Sequence, residues 1–220
     1  MRIGILGSGL MGAKLGTIFA SAGHQVIFSY SKSEAKLIRL ARAAGHGAEA
    51  GNPAYAVDNS EVLLLAVHWS RVDHALKQAG KASLAGKVII SCSMPMNASD
   101  TDLVIAHKSS GAEALARKVP KARVVFAFNT VPSEVLFSVF ARRRRRRRAR
   151  PSLVYGGDDP GAKKVAAGLI RDVGFDPLDV GPLKSARFTE PFTLLIARLA
   201  YEGERGPAMD YRFEWFAEKT

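Results

Sequence analysis

Residues 3–12 read IGILGSGLMG, a short apolar run that gives way to three glycines, Gly7, Gly9 and Gly12, in the spacing G-x-G-x-x-G. The spacing alone says little; its context says more. Arg2 to Leu6 has the character of a buried strand, Met11 to Ala22 that of a helix ended by Gly23, and Gln25 to Ser29 that of a second strand. The glycines therefore fall on the turn of a strand–helix–strand unit of about 30 residues. In that setting Gly7 permits the tight turn, Gly9 lets backbone approach a pyrophosphate, and Gly12 lets the helix lie close to the strand. Ser8, Leu10 and Met11 complete the turn, and the helix start presents free N–H groups to phosphates. A tight turn with no ligand is the plainer alternative.

The tip of the second strand selects among dinucleotides. An Asp or Glu there would bond a ribose 2′-hydroxyl. The segment from Phe28 to Glu34 reads FSYSKSE and carries no acid before Glu34. Ser29, Tyr30, Ser31 and Lys32 occupy the tip instead. Hydroxyls and an ammonium group hold a 2′-phosphate by charge-assisted hydrogen bonds, where a carboxylate would repel it. The residues point to NADP(H) over NAD. Tyr30 has a second reading, as a cover for the adenine ring.

Outward from this unit, strand-like and helix-like segments alternate. Ser33 can cap a helix to Ala44, closed by Gly45. A weak strand lies near Gly47 to Ala50, and a short turn or helix near Asn52 to Ala56. Val62 to Val67 and Lys87 to Cys92 are continuous apolar runs, as in strands covered on both faces. Ser110 and Glu113 form a capping box before a helix through Lys118. Arg123 to Phe128 and Leu153 to Gly156 are further strands, and Asp159 with Pro160 opens a helix to Val173. Leu178 to Val180 is a last short strand, and a final helix covers Pro191 to Tyr201. This pattern predicts an α/β fold, doubly wound around a mainly parallel sheet, with ligands beyond the carboxyl ends of the strands. Residues 1–180 form the dinucleotide-binding domain and 181–220 a small C-terminal helical segment, too short for a core of its own.

Composition narrows the function classes. Of 220 residues, 47% are apolar and 24% charged, the balance of a globular chain. No apolar run is long enough to span a bilayer, so no membrane role is expected. The single cysteine, Cys92, excludes an internal disulfide and suits a reducing cytoplasm. Five histidines show no metal-binding spacing, and no metal site is expected. The net charge of +12 is concentrated, because ARRRRRRRAR at Ala141 to Arg150 supplies eight arginines. The plain reading of Arg142 to Arg148 is a solvated loop between a helix after Thr130 and the strand at Leu153. A nucleic-acid or localisation role is the next candidate but lacks interleaved aromatics and a reading module, and attraction of an anionic substrate is the third.

Longer segments carry a resemblance. IGILGSGLMG at 3–12, AVHWSRV at 66–72, VVFAFNTVPSEVL at 124–136, YGGDDPGAKKVAAGLIRDVGFDPLDVGPL at 155–183 and LLIARLAYEGERGP near the C-terminus are together similar to the NADPH-dependent reductases of the deazaflavin coenzyme F-420 and their bacterial relatives. The resemblance implies a Rossmann-type domain, NADP(H) as cofactor, a homodimer, and hydride transfer to coenzyme F-420 or to a flavin such as FMN or FAD. It places the nicotinamide near three loops: Ala66, Val67, His68 and Trp69; Ser91, Cys92 and Ser93, running on through Met94 to Pro95; and Asn129 and Thr130, with Pro132. His68 and Asn129 are the candidate catalytic residues, Asn129 as the polar group orienting the carboxamide or the acceptor ring. Each has a structural alternative: His68 as a strand-end residue bonding backbone, Trp69 as core, Cys92 as a small buried residue. Two departures stand out, the arginine run and the tail AMDYRFEWF, where the family is glycine-rich. Ring-to-ring hydride transfer needs alignment more than an acid or base, so no general base is expected. A redox sensor that binds NADP(H) without turnover is the other class.

Overall fold

A computed structural model describes residues 1–144 and 149–216. Arg145 to Arg148 of the arginine run, and the last four residues of the C-terminal segment, lie outside the described residues. The elements alternate as the apolar pattern implies: β1 (Arg2–Leu6), α1 (Leu10–Ser21), β2 (Gln25–Ser29), α2 (Glu34–Ala44), β3 (Glu49–Ala50), α3 (Pro53–Asp58), β4 (Val62–Leu65), α4 (Val72–Ala79), β5 (Val88–Ser91), α5 (Gly111–Lys118), β6 (Arg123–Phe126), α6 (Leu136–Arg142), β7 (Ser152–Gly157), α7 (Pro160–Val173), β8 (Asp176–Asp179) and α8 (Ala186–Ala197). The strands form one eight-stranded sheet in the order β3-β2-β1-β4-β5-β6-β7-β8. Pairing is parallel from β3 to β6, with Ile5 opposite both Phe28 and Leu64. β7 runs antiparallel to β6, with Phe126 opposite Gly156, and β8 is parallel to β7. The fold is thus a Rossmann-like, mostly parallel α/β sheet with a helical C-terminal part.

Local chemistry explains most boundaries. Ser33 Oγ accepts from Lys36 N at the start of α2, Asn52 Oδ1 accepts from Tyr55 N before α3, and Asp159 Oδ1 accepts from Ala162 N before α7. Each satisfies an amide that the first helical turn leaves without a partner. Gly174 ends α7 at φ 116°, a conformation that glycine adopts without a Cβ penalty. Strand alternation divides the core between the two faces. Ile3, Ile5 and Leu64 pack with α1 and α7 on one side, while Leu63, Leu65 and Ile89 pack with α4 and α5 on the other.

The C-terminal helix departs from the sequence pattern. Pro191 does not open it: α8 starts at Ala186, holds Pro191 inside, and continues as a π turn over Arg198–Glu202. A proline inside a helix removes one backbone bond and costs about 3 kcal/mol. Contacts with α5 hold the turn ahead of it. The Glu190 carboxylate, 2% exposed, accepts from Gly111 N at 2.9 Å and Ala112 N at 3.0 Å. Arg187 donates to both oxygens of Glu113, at 2.7 and 2.9 Å. The capping box is correspondingly reshaped. Ser110 Oγ accepts from Glu113 N, but the Glu113 carboxylate faces Arg187 as well as the Ser110 hydroxyl. Leu183 and Ala186 are buried in the core beside α5, so the C-terminal segment packs on the sheet domain.

Candidate functional site

Two clefts flank the start of α1. The first, about 630 Å³, is lined by Gly7, Ser8 and Gly9 from the glycine turn, by Tyr30 to Ser33 and Lys36 beyond β2, by Ala66, Val67 and His68 after β4, and by Arg71, His74 and Gln78 of the following helical turns. The second, about 240 Å³, begins one residue on. Leu10 and Met11 form one wall, Asn129 and Val131 to Ser133 after β6 a second, and Thr193, Ile196, Ala197 and Tyr201 a third.

The three glycines differ in what surrounds them. A Cβ on Gly7 would overlap the Ala66 carbonyl, and its φ of 128° is strained for other residues. A Cβ on Gly12 would overlap the Gly7 carbonyl. A Cβ on Gly9 would meet nothing within 4 Å. Gly9 is the N-cap of α1 with ordinary extended backbone, and among the described residues no side chain caps the free amides behind it. The first turn of α1 also holds no acidic residue. Uncapped amides, a helix dipole and open space suit a phosphate group.

At the β2 tip the candidate residues separate. Ser29 is fully buried and its hydroxyl donates to Ile5 O at 2.8 Å, so it braces β1 against β2 and does not reach the cleft. Tyr30, Ser31 and Lys32 line the cleft. Tyr30 takes φ 60°, which turns the chain out of the strand. Its ring meets His74 edge-on at 5.7 Å, and its hydroxyl lies 3.0 Å from His74 Nδ1. Burial pushes the Tyr30 phenol above its ordinary range. Lys36, Arg71 and His74 join Lys32 in this cleft, and among the described residues no carboxylate lines it. These three were missed in the sequence. Arg71 and His74 stand about 40 positions beyond the β2 tip, and only the β4–α4 turn brings them back (a distance that no local spacing encodes).

The loops after β4 and β5 are braced internally. His68 caps the 3-10 turn at Trp69–Arg71: Ser70 N donates to its Nδ1 at 3.2 Å, and its Nε2 lies 3.1 Å from Asp100 Oδ1. Both ring nitrogens are engaged, although the ring still lines the cleft. Trp69 is half-buried against the core and does not line either cleft. Ser93 Oγ donates to Val67 O at 2.7 Å, and Ser91 Oγ accepts from Ser93 N. Burial pushes the Cys92 thiol far up, which keeps it a neutral packing group.

The loop after β6 carries the second cleft's polar wall. Phe128 is fully buried at φ 64°, a left-handed conformation rare for a bulky residue, and its ring packs edge-on against Phe19 of α1. The turn directs Asn129 to the cleft. Asn129 Nδ2 contacts Met94 sulfur at 3.4 Å, while its buried Oδ1 has no partner among the described residues. A buried acceptor left unpaired costs about 1–3 kcal/mol, a pattern typical of sites that a ligand completes. Thr130 is fully buried, and its hydroxyl lies 2.7 Å from Tyr211 Oη, away from both clefts. Lys14 Nζ of α1 donates to Ser133 O at 3.1 Å and so ties this loop to the glycine-turn helix. At the far wall Tyr201 donates to Glu134 at 3.0 Å; burial first, then that carboxylate, push its phenol up to about 12.

Comparison with known proteins bears on residues and fold separately. The sequence profile described as NADP oxidoreductase coenzyme F420-dependent matches residues 2–95. Metalloreductase STEAP3 of Rattus norvegicus is 31% identical over 196 residues, 88% of this chain and 36% of that protein. The chain thus spans about a third of that relative's length. Among solved structures, a protein of Arthrobacter sp. FB24, provisionally described as an F420-dependent NADP-reductase, superposes with a TM-score of 0.84 at 23% identity, over 98% of this chain and 100% of that one. A reductive aminase of Aspergillus terreus in complex with NADPH and ethyl-5-oxohexanoate superposes at 0.64 with 18% identity, over 88% of this chain and 60% of that one. These two likenesses establish the fold. Over residues 2–95, which include the glycine turn, the β2 tip and the loop after β4, the chain matches the family described as NADP oxidoreductase coenzyme F420-dependent.

Proposed function

We propose that the chain binds NADP(H) across the start of α1 and transfers its hydride to or from a deazaflavin, coenzyme F-420, or a flavin such as FMN or FAD seated in the second cleft. One observation carries this reading. The two clefts meet at consecutive residues, Gly9 in the first and Leu10 in the second. A dinucleotide with its pyrophosphate on the α1 amides then has its adenosine half in the charged cleft and its nicotinamide half toward Asn129.

The residues present fit that occupant. Gly9 leaves room where a side chain would stand, and the amides behind it are uncapped. Lys32, Lys36 and Arg71 surround the β2 tip with positive charge, and Ser31 adds a hydroxyl; together they favour a 2′-phosphate. The nicotinamide supplies hydride transfer when bound. The chain's part is to align and to exclude water. Leu10, Met11, Ile196 and Ala197 make apolar walls, and Asn129 Oδ1 offers an unspent acceptor to the amide of a ring substituent. The two tyrosines near the clefts are held protonated at neutral pH, so neither serves as a base. The homodimer implied by the resemblance has an apolar surface available in Phe188 and Leu195 of α8 and Leu199 of the π turn that follows, all exposed. A single cysteine favours a reducing, cytoplasmic setting.

The test is spectroscopic. NADPH absorbance should fall on adding coenzyme F-420, FMN or FAD, and the NADPH dissociation constant should lie well below that of NADH. Tight NADPH binding with no turnover on any of these acceptors would favour the sensor reading. Equal affinity for NADH would remove the assigned role of the β2 tip.

A further inference from the structure

Away from both clefts, the fold gathers arginines from three separated parts of the chain. Arg142 and Arg143 come from the end of α6, Arg150 from the approach to β7, and Arg212 from the C-terminal segment. They surround a cavity of about 480 Å³. A second cavity of about 280 Å³ adjoins it through the shared Arg143 and Arg150 and adds Arg144 and Arg171. Two hydrogen bonds to Ser152 hold the returning C-terminal segment: Ser152 N donates to Tyr211 O at 2.8 Å, and Phe213 N donates to Ser152 Oγ at 3.0 Å.

Charge is not balanced within this group. Two carboxylates line the cavities, Asp210 and Asp172, and Asp172 already lies 3.1 Å from His24 Nε2. Arg212 pairs with Glu214. Among the described residues, Arg142, Arg143, Arg144, Arg150 and Arg171 form no ion pair with a carboxylate. Helix dipoles account for basic residues at the ends of α6 and α7. They do not account for Arg150 and Arg212, which belong to no helix. Arg143 is moreover fixed in place: its guanidinium lies 3.5 Å over the Phe140 ring, and Nη1 donates to Phe140 O at 2.7 Å. Burial and the neighbouring Arg144 make its charge costly, Asp172 offsets part of that cost, and a bound anion would offset more.

We infer that these joined cavities are a second binding site, for a compact anion carrying several phosphate groups. A guanidinium fork matches phosphate oxygens two at a time. The larger cavity has small-ligand dimensions. Its described walls offer no aromatic face on which a base could stack, which sets a short polyphosphate ahead of a nucleic-acid strand. The site shares no lining residue with the dinucleotide clefts and stands or falls apart from them.

Calorimetry on the full chain, with and without saturating NADPH, tests this with inorganic tripolyphosphate as the probe. We expect saturable binding that persists in the presence of NADPH. Arg143→Gln and Arg150→Gln should each weaken it about tenfold or more, with NADPH affinity unchanged. Arg171→Gln, at the end of α7, should act in the same direction and guards against a folding defect at Arg143. Three outcomes would overturn the inference: tripolyphosphate displaced by NADPH, affinity indifferent to all three substitutions, or tighter binding of a twelve-nucleotide single strand than of tripolyphosphate.

Discussion

The two clefts at the start of α1 are built from different material. The first carries positive charge: Lys32, Lys36 and Arg71 gather with His74 around the β2 tip, with no carboxylate among them. The second is walled by Leu10, Met11, Val131, Pro132 and Ile196, with Asn129 as its unspent acceptor. The first comes entirely from residues 7–78, while the second needs α8 from the far end of the chain. On the proposed reading, one cleft selects a cofactor by charge and the other sets ring geometry by shape. Charge selection tolerates an open, wet groove. Alignment of two rings needs fixed walls, and the bonds of Glu190, Arg187 and Lys14 are what fix them.

The largest effect should come from the charged side. Replacing Lys32 and Arg71 together by Gln removes two charge-assisted contacts, so NADPH affinity should fall about a hundredfold while NADH affinity moves less than about threefold. Titration of both cofactors checks this, and parallel losses would erase the division of labour. On the apolar side, Asn129→Ala should lower turnover about tenfold with little change in NADPH affinity. It should leave the melting temperature unchanged or slightly higher, because the lost oxygen had no partner. A large loss of stability would instead make Asn129 a structural residue.

A smaller effect concerns the wall itself. Burial raises the Glu190 carboxyl to about 7, against the pull of its two amide bonds. A raised acid favours the folded state below its unfolded range near 4.5, and that advantage is lost as pH rises through about 7. The melting temperature should therefore drop by a few degrees between pH 5 and pH 8, and Glu190→Gln should flatten that slope. The smallest effect is expected at His68. With both nitrogens engaged by Ser70 and Asp100, His68→Ala should change turnover less than about threefold. A hundredfold loss would move proton chemistry back into the first cleft.

Sequence reading reached the parts of the fold that local chemistry controls. Gly7, Gly9 and Gly12, the caps at Ser33 and Asp159, and the buried runs of β4 and β5 all stand where their residue types require. It could not see direction or long-range return. An apolar run has no sign, so the antiparallel β7 is visible only in its register with β6, Val125 opposite Gly157 and Phe126 opposite Gly156. Pro191 carries the ordinary mark of a helix start, and only the bonds of Arg187 and Glu190 to α5 show why α8 begins five residues earlier. At the candidate site, Tyr30, Ser31 and Lys32 line the cleft, whereas the hydroxyls of Ser29 and Thr130 are spent on Ile5 and Tyr211. Residue type announces a hydroxyl but not its partner. The left-handed turn at Phe128 has no sequence mark at all.

The unequal surroundings of the three glycines have a practical side. Positions 7 and 12 are policed by the protein's own atoms, so any screen for folded material will reject substitutions there. At position 9 a Cβ would meet nothing within 4 Å among the described residues. A library sorted by expression or heat resistance would pass alanine or serine at that point without complaint, and would be blind to the residue that faces the proposed phosphate. Sorting the same library twice, once for integrity and once for cofactor retention, would separate what the polypeptide demands of itself from what its guest demands of it.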